Sequence, residues 1–478
     1  MFKSMTKGKT DDGLLSLRRA VISLSVYYEL VDWTQPYNKN LKTKKAGGTA
    51  FVVDDLPSVP TGFLALTAYH VVYNAVRIRA TLFENDEDHP SAPVEATLML
   101  YSVDLDTAVI HIDAPRPKWL VPLVMGDSSQ LLPNVQIKVA GFPLRDDFQV
   151  TTGFVSGRLP DRVQVDASVN PGNSGGPLIS VEDGSVLGIV VSGFSPDKAQ
   201  NVNFCTPIED VRLVLLPTLM KRSKSSKEIE SIPINSFNFN LVPTSSDLLK
   251  LQSGGSCAAG ALVTRVNGES SCYGTGLRVD DIVCSIDGYK IGYKATVRVP
   301  WWKVDAISYT TILARKPVGS EVAIEFYSAE RARMIKAKLK IERNMNRFRY
   351  VDVQSESIPY QRLGGVVVQT LSTNLFKETL TLQKRFGYVL QRPDLQERSL
   401  LIVTHIDADS PFTVMNQLSV NDAIVGVNGT TFDGGDLEHY ASAFREALGT
   451  GMVLLRLYTG KVASATAKDV RAWMDDHH

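Results

Sequence analysis

From Gly47 to Ile208 the chain alternates short apolar runs with turn residues, the period of half-buried strands. Five runs, at 49–53, 63–68, 76–83, 94–101 and 107–112, predict one barrel. Six more, at 135–140, 150–156, 163–167, 177–180, 186–191 and 202–206, predict a second, with Asp183-Gly184 marking a hairpin within it. The stretch 223–233, SKSSKEIESIP, is polar and basic and reads as a linker. After it the apolar runs return with glycine before them, and the tail at 465–474 has helical spacing. The run at 21–31 is short and broken by Tyr27, Tyr28 and Glu29, so it suits neither a secretory signal nor a membrane span, which needs roughly 18 apolar residues.

A length of 478 residues exceeds one ordinary core; at roughly 100–200 residues per domain it predicts about three. Charge is balanced, with 51 basic and 51 acidic residues, which removes any whole-chain argument for nucleic acid or an anionic membrane. The acidic loop 84–88 reads as a solvated hairpin tip, and no ligand spacing for a metal is seen. The four cysteines, Cys205, Cys257, Cys272 and Cys284, form no C-x-x-C pair or dense framework, so they are expected as buried small hydrophobes in a reduced compartment. The chain accordingly reads as intracellular and soluble, the cytosol favoured over an organelle.

Candidate chemistry concentrates in Asn170-Pro171-Gly172-Asn173-Ser174-Gly175-Gly176-Pro177-Leu178, where a serine stands between glycines in a turn. The spacing suits acyl transfer: the amides of Gly172 and Ser174 would converge on an oxyanion, with Gly172, Asn173 and Ser174 forming the candidate oxyanion hole. Gly175 and Gly176 would keep bulk from the scissile bond. A serine nucleophile needs a base and an orienting carboxylate. Leu66-Thr67-Ala68-Tyr69-His70-Val71-Val72 offers His70, and Val103-Asp104-Leu105-Asp106-Thr107-Ala108-Val109 offers Asp106 ahead of Asp104.

These segments resemble, in order, the T-A-A-H-V, D-L-A-V-L and G-N-S-G-G-P-L motifs of the HtrA/Deg serine proteases. Gln164 to Val169 resembles the family's Q-T-D-A-A-V. The resemblance implies a mainly β fold: a chymotrypsin-like double β-barrel followed by two PDZ domains of the α+β class. Gly260-Ala261-Leu262-Val263, Gly276-Leu277-Arg278-Val279-Asp280-Asp281-Ile282-Val283 and Ile286-Asp287-Gly288 resemble the first PDZ domain. Leu363-Gly364-Gly365-Val366-Val367-Val368 and Leu418 to Gly429 resemble a second, like the extended one of plant Deg-type proteases. The expected layout is a flexible tail 1–12, protease domain 13–222, linker 223–233, PDZ1 234–345, PDZ2 346–462 with an insertion at about 370–398, and a tail 463–478.

The resemblance implies an ATP-independent endopeptidase of unfolded or damaged proteins, with no cofactor and with Ser174, His70 and Asp106 as its triad. The position six before the nucleophile, Ser168, would form the base of the S1 pocket; Val190, Val191, Ser192, Gly193, Asn203 and Phe204 would wall it. Small and medium aliphatic P1 residues would then be preferred. PDZ1 would take peptide C-termini on Ala259, Gly260 and Ala261 with the peptide strand beside Leu262 and Val263. A homotrimer or larger assembly is implied, with 14–33 at its interface; a membrane span and nucleic acid are not. The competing expectation is a PDZ scaffold or holdase with vestigial proteolysis, which an intact triad disfavours.

Overall fold

The computed structural model describes residues 8–38, 42–84, 92–143, 147–159, 162–193, 202–222, 228–232, 235–257, 259–302, 305–414, 416–432 and 434–477. The acidic loop tip from 85 onward, most of the linker and the first residues of the tail lie outside the described residues.

The first barrel is built from β1 (Val21–Glu29), β2 (Thr43–Phe51), β3 (Phe63–Ala68), β4 (Ala75–Thr81), β5 (Val94–Ser102) and β6 (Thr107–Ile112). It closes in the order β4-β1-β2-β3-β6-β5, with β5 returning to β4. Five of these strands were expected from the sequence, and the sixth is β1. Ile22, Leu24 and Val26 are fully buried while Ser23 and Ser25 alternate outward, so the run is amphipathic at period two and its tyrosines do not interrupt it. The second barrel closes as β10-β11-β12-β9-β8-β7, with β7 (Gln136–Gly141), β8 (Gln149–Arg158), β9 (Val163–Val165), β10 (Pro177–Ser180), β11 (Val186–Gly193) and β12 (Asn203–Pro207). Two closed barrels leave no exposed strand edges there.

Helix α1 (Gly8–Ala20) precedes β1, so the expected flexible tail is helical from Gly8. After the second barrel, α3 (Ile208–Lys221) returns to the first, burying Ile208, Val211, Leu215, Leu216 and Leu219; the turn Tyr69–Val72 is α2. Strand β13 (Glu230–Ile232) then adds in parallel to β5, which ties the connection to the first barrel.

Two α+β units follow. The first sheet runs Phe239–Val242, Ala261–Val266, Ile282–Ile286, Glu321–Ser328, Arg333–Lys340. Its 3₁₀ helix Tyr309–Arg315 packs on α3, where Arg315 lies 3.3 Å from the buried Asp210 and Arg158 reaches over Trp302. Burial pushes the Asp210 carboxyl up to about 6 despite the two arginines. The second sheet runs Val366–Thr370, Leu401–Ile406, Ala423–Val427, Met452–Leu457, Val462–Thr466 in the same order, with one strand more. That strand, Tyr360–Leu363, covers the outer edge of Val366–Thr370 through a hairpin at Gly364 and Gly365, both left-handed with φ 58° and 75°. The Gly364-Gly365 pair is therefore a hairpin turn.

The insertion at about 370–398 folds into the helices Thr373–Glu378, Leu380–Phe386 and Pro393–Arg398. Leu375, Phe376, Leu382, Phe386 and Val389 form a core with Phe348, Val351 and, from the protease half, Trp33. Gln369 Nε2 also donates to the Trp33 carbonyl at 2.9 Å. The stretch from β1 to Trp33 thus packs within the chain. Cys257 and Cys284 form a disulfide, against the expectation of four thiols; Cys205 and Cys272 are free and buried as expected. The pairing was illegible in spacing because 27 residues and a sheet crossing separate the partners.

Candidate active site

His70 stands in the helical turn Tyr69–Val72 directly after β3, a strand whose six residues are all buried. Its imidazole is 45% exposed, beside the Asp106 carboxylate at 24%. Asp106 takes a left-handed φ of 49° immediately before β6, and that bend aims both oxygens at the histidine. Oδ1 accepts the His70 backbone N–H at 2.8 Å, and Oδ2 lies 2.7 Å from Nδ1. Asp106, not Asp104, therefore meets the imidazole. With Nδ1 held as donor to a carboxylate, Nε2 is the nitrogen left to take a proton.

The serine loop between β9 and β10 is held by Thr49 of the first barrel. The Thr49 N–H donates to the Ser174 carbonyl at 2.9 Å, and its hydroxyl donates to the Gly172 carbonyl at 2.6 Å and accepts the Phe142 N–H at 3.1 Å. Sequence reasoning missed Thr49, whose only signal was a polar residue inside an apolar strand. The glycines follow from this contact. A Cβ on Gly175, at φ 84°, would meet the Thr49 carbonyl at 2.2 Å, and one on Gly176 the Ala140 carbonyl at 2.2 Å. They let the loop press against the barrels, a different reason from clearance of a scissile bond.

Among the described residues, the N–H groups of Gly172 and Ser174 donate to no protein acceptor. Those of Asn173, Gly175 and Gly176 donate to the carbonyls of Asn170, Val190 and Asn173 at 3.0, 2.7 and 3.0 Å. Asn173 is thereby removed as an oxyanion donor, because its amide closes a turn. The Ser174 hydroxyl makes no hydrogen bond to His70 among the described contacts. The imidazole and carboxylate are hydrogen-bonded to each other.

The expected S1 residues divide. Ser168 is exposed, with its carbonyl bound by the Thr151 hydroxyl at 2.9 Å. Val190 is packed in the second barrel and Val191 in the core cluster of the first, so alternation sends them to opposite faces and they cannot wall one pocket. Asn203 is buried and its Nδ2 donates to the Ala167 carbonyl at 2.8 Å, while Phe204 is half-buried against the first-barrel cluster. Ser192 and Gly193 continue β11 opposite Phe204 and Asn203; their side chains lie outside the described residues.

The expected peptide strand of the first distal sheet is not available. Leu262 pairs with Val242 on one edge and Ile282 on the other, and Val263 is likewise bonded on both sides. Ala259, Gly260 and Ala261 lead into this enclosed strand, and a Cβ on Gly260 would meet the Val283 carbonyl at 2.8 Å. The outer edge of that sheet belongs to Phe239–Val242. There the Tyr309 hydroxyl accepts the Leu241 N–H at 3.2 Å and donates to the Phe239 carbonyl at 3.3 Å. No cluster of three or more metal-ligating side chains occurs among the described residues, and no described helix is long and apolar enough to cross a membrane.

Residues 48–189 match the family model of a trypsin-like peptidase domain, the class that the paired barrels and the His70–Asp106 contact also indicate. Within that class the chain is similar to the HtrA/Deg serine proteases. It is 29% identical over 289 residues to Protease Do-like 1, chloroplastic, of Arabidopsis thaliana, covering 54% of this chain and 62% of that one. It is 31% identical over 249 residues to a probable periplasmic serine endoprotease DegP-like of Pseudomonas putida, covering 49% and 48%. The chain thus spans about half to three fifths of the length of the curated relatives it matches. The solved HtrA-type protease AlgW with tripeptide aligns over 70% of this chain and 97% of that one at a TM-score of 0.51 and 19% identity, a likeness of fold.

Proposed function

We propose that the chain is an ATP-independent serine endopeptidase of unfolded or damaged proteins, controlled by its distal units. Ser174 attacks the scissile carbonyl, His70 takes and returns the proton, and Asp106 holds the imidazolium. The amides of Gly172 and Ser174 receive the oxyanion. The observation that carries this reading is the His70–Asp106 pair, 2.7 Å apart, on the first of two closed barrels. That Ser174 and His70 share no hydrogen bond among the described contacts supports a resting state that engages when a ligand or assembly orders the loop. Treatment with a fluorophosphonate in the presence of an apolar-ended peptide, then peptide mapping, tests this: an adduct on Ser174, absent from His70→Ala, is expected, and none on Ser174 defeats the reading.

The distal units are read as PDZ1, 234–345, and PDZ2, 346–462. In PDZ1 the outer edge of Phe239–Val242, capped by the Tyr309 hydroxyl, supports peptide addition there, with that hydroxyl displaced, in place of Leu262 and Val263. In PDZ2 the covering strand and the insertion core support packing over peptide capture. A neutral S1 base at Ser168 supports cleavage after small and medium aliphatic residues. Trimers or larger assemblies are proposed by analogy with the family, and sedimentation as a monomer at micromolar concentration counts against them. The Cys257–Cys284 disulfide favours an oxidising organelle over the cytosol.

A further inference from the structure

We propose that Asp352, on the segment joining the two distal sheets, is a positioning residue for His70. It lies 283 positions from the tyrosine beside that histidine, and its carboxylate is buried at 7% exposure. Oδ1 accepts the Tyr69 hydroxyl at 2.6 Å and Oδ2 accepts the Tyr101 hydroxyl. Within its own segment it also accepts the Gln354 N–H at 3.3 Å and the Ser355 hydroxyl at 3.2 Å. All four donors are neutral hydroxyl or amide groups, so the carboxyl is held by hydrogen bonds alone.

The tyrosine bonds tie that carboxylate to the turn that carries His70. Tyr69 is 3% exposed and stacks on Tyr101 with ring centres 4.3 Å apart and planes at 5°. Its N–H donates to the Asp106 carbonyl at 3.0 Å, and the next residue is His70, whose N–H and Nδ1 both engage the Asp106 carboxylate. Tyr69 is therefore fixed at its backbone by the acid that orients the imidazole and at its hydroxyl by Asp352. Tyr73, the residue that ends the turn, packs edge-on against Tyr69 at 5.8 Å.

One short joining segment thus holds the first residue of the helical turn that carries His70. A displacement of that segment would release Tyr69, and a misplacement of about 1 Å in a reacting group can cost on the order of 10²-fold. The distal half of the chain so gains a route to the imidazole that does not pass through the serine loop. The segment also borders a cleft of about 750 Å³ lined by Tyr350, Ser355, Arg349 and Gln396, so water can reach the space a changed side chain leaves.

This inference rests on the proteolytic reading above, and the experiment separates the two. Full-length wild type, Asp352→Asn, Tyr69→Phe and Tyr101→Phe are compared for kcat and KM on an unfolded protein substrate, with the melting temperature of each. Asp352→Asn and Tyr69→Phe are expected to lower kcat by about 10–100-fold with KM within about twofold; Tyr101→Phe, which does not adjoin His70, should lower it less. If wild type does not cleave, the proteolytic reading fails. If wild type cleaves and Tyr69→Phe keeps its kcat, or loses activity only in proportion to lost folded protein, the positioning role is overturned. Should Asp352→Asn not fold, Tyr69→Phe, which removes one hydroxyl from an intact ring stack, decides alone.

Discussion

Replacing Tyr309 by phenylalanine should make the first distal unit bind peptides more tightly. The Tyr309 hydroxyl occupies the outer edge of Phe239–Val242 with two hydrogen bonds of 3.2 and 3.3 Å, which an incoming strand must displace. Phenylalanine keeps the ring stacked between Phe237 and Phe239, at 5.9 and 6.0 Å, so the groove wall is preserved. Each lost bond is worth about 0.5–1.5 kcal/mol net, and without the hydroxyl the free state also leaves the Leu241 N–H and Phe239 carbonyl unpaired. The difference favours the bound state by about 1–2 kcal/mol, or roughly a 5–30-fold lower Kd. Calorimetric titration of an apolar-ended peptide into Ser174→Ala, with and without Tyr309→Phe, measures it. An unchanged or weaker Kd would show that peptides do not use this edge.

Asp106→Asn should cut proteolysis by about 10⁴-fold and Asp104→Asn only mildly, since the amide cannot fix the imidazole tautomer; steady-state kinetics on casein checks the pair, and the reverse order would reassign the carboxylate. Burial pushes the Asp210 carboxyl up to about 6, above the ordinary carboxylate range, so it takes up a proton on folding. Its contribution is favourable at low pH and lost as pH rises through about 6, on the order of 3 kcal/mol in full. Melting temperatures from pH 7.5 to 5 should therefore show a rise toward acid that Asp210→Asn abolishes; an equal rise in both would refute the assignment. Mass-spectrometric mapping of cleavage sites should give valine, alanine, isoleucine and leucine at P1, and dominance of lysine and arginine would overturn the Ser168 pocket.

Eleven of the twelve barrel strands were legible because closed barrels bury one face of every strand, which imposes period two on the sequence. Strand β1 has that period too and was passed over for its polar tyrosines, which lie at the half-buried end. His70, Asp106 and Ser174 were legible because each lies in a motif set by local backbone needs, such as the left-handed Asp106 and the tight Gly175. What escaped depends on partners far along the chain. Thr49 acts on a loop 123 positions away, Asp352 on a tyrosine 283 away, and the free edge of the first distal sheet is defined only once Leu262 is seen paired on both sides.

The central claim is that Ser174, activated by His70, hydrolyses peptide bonds, and the most direct measurement is the rate of casein cleavage by wild type, Ser174→Ala and His70→Ala at matched folded concentration. Triad members act as a unit, so each variant should fall by on the order of 10⁴-fold or more with an unchanged melting temperature. Cleavage by Ser174→Ala at the wild-type rate, or none by wild type even with an apolar-ended peptide present, would contradict the account.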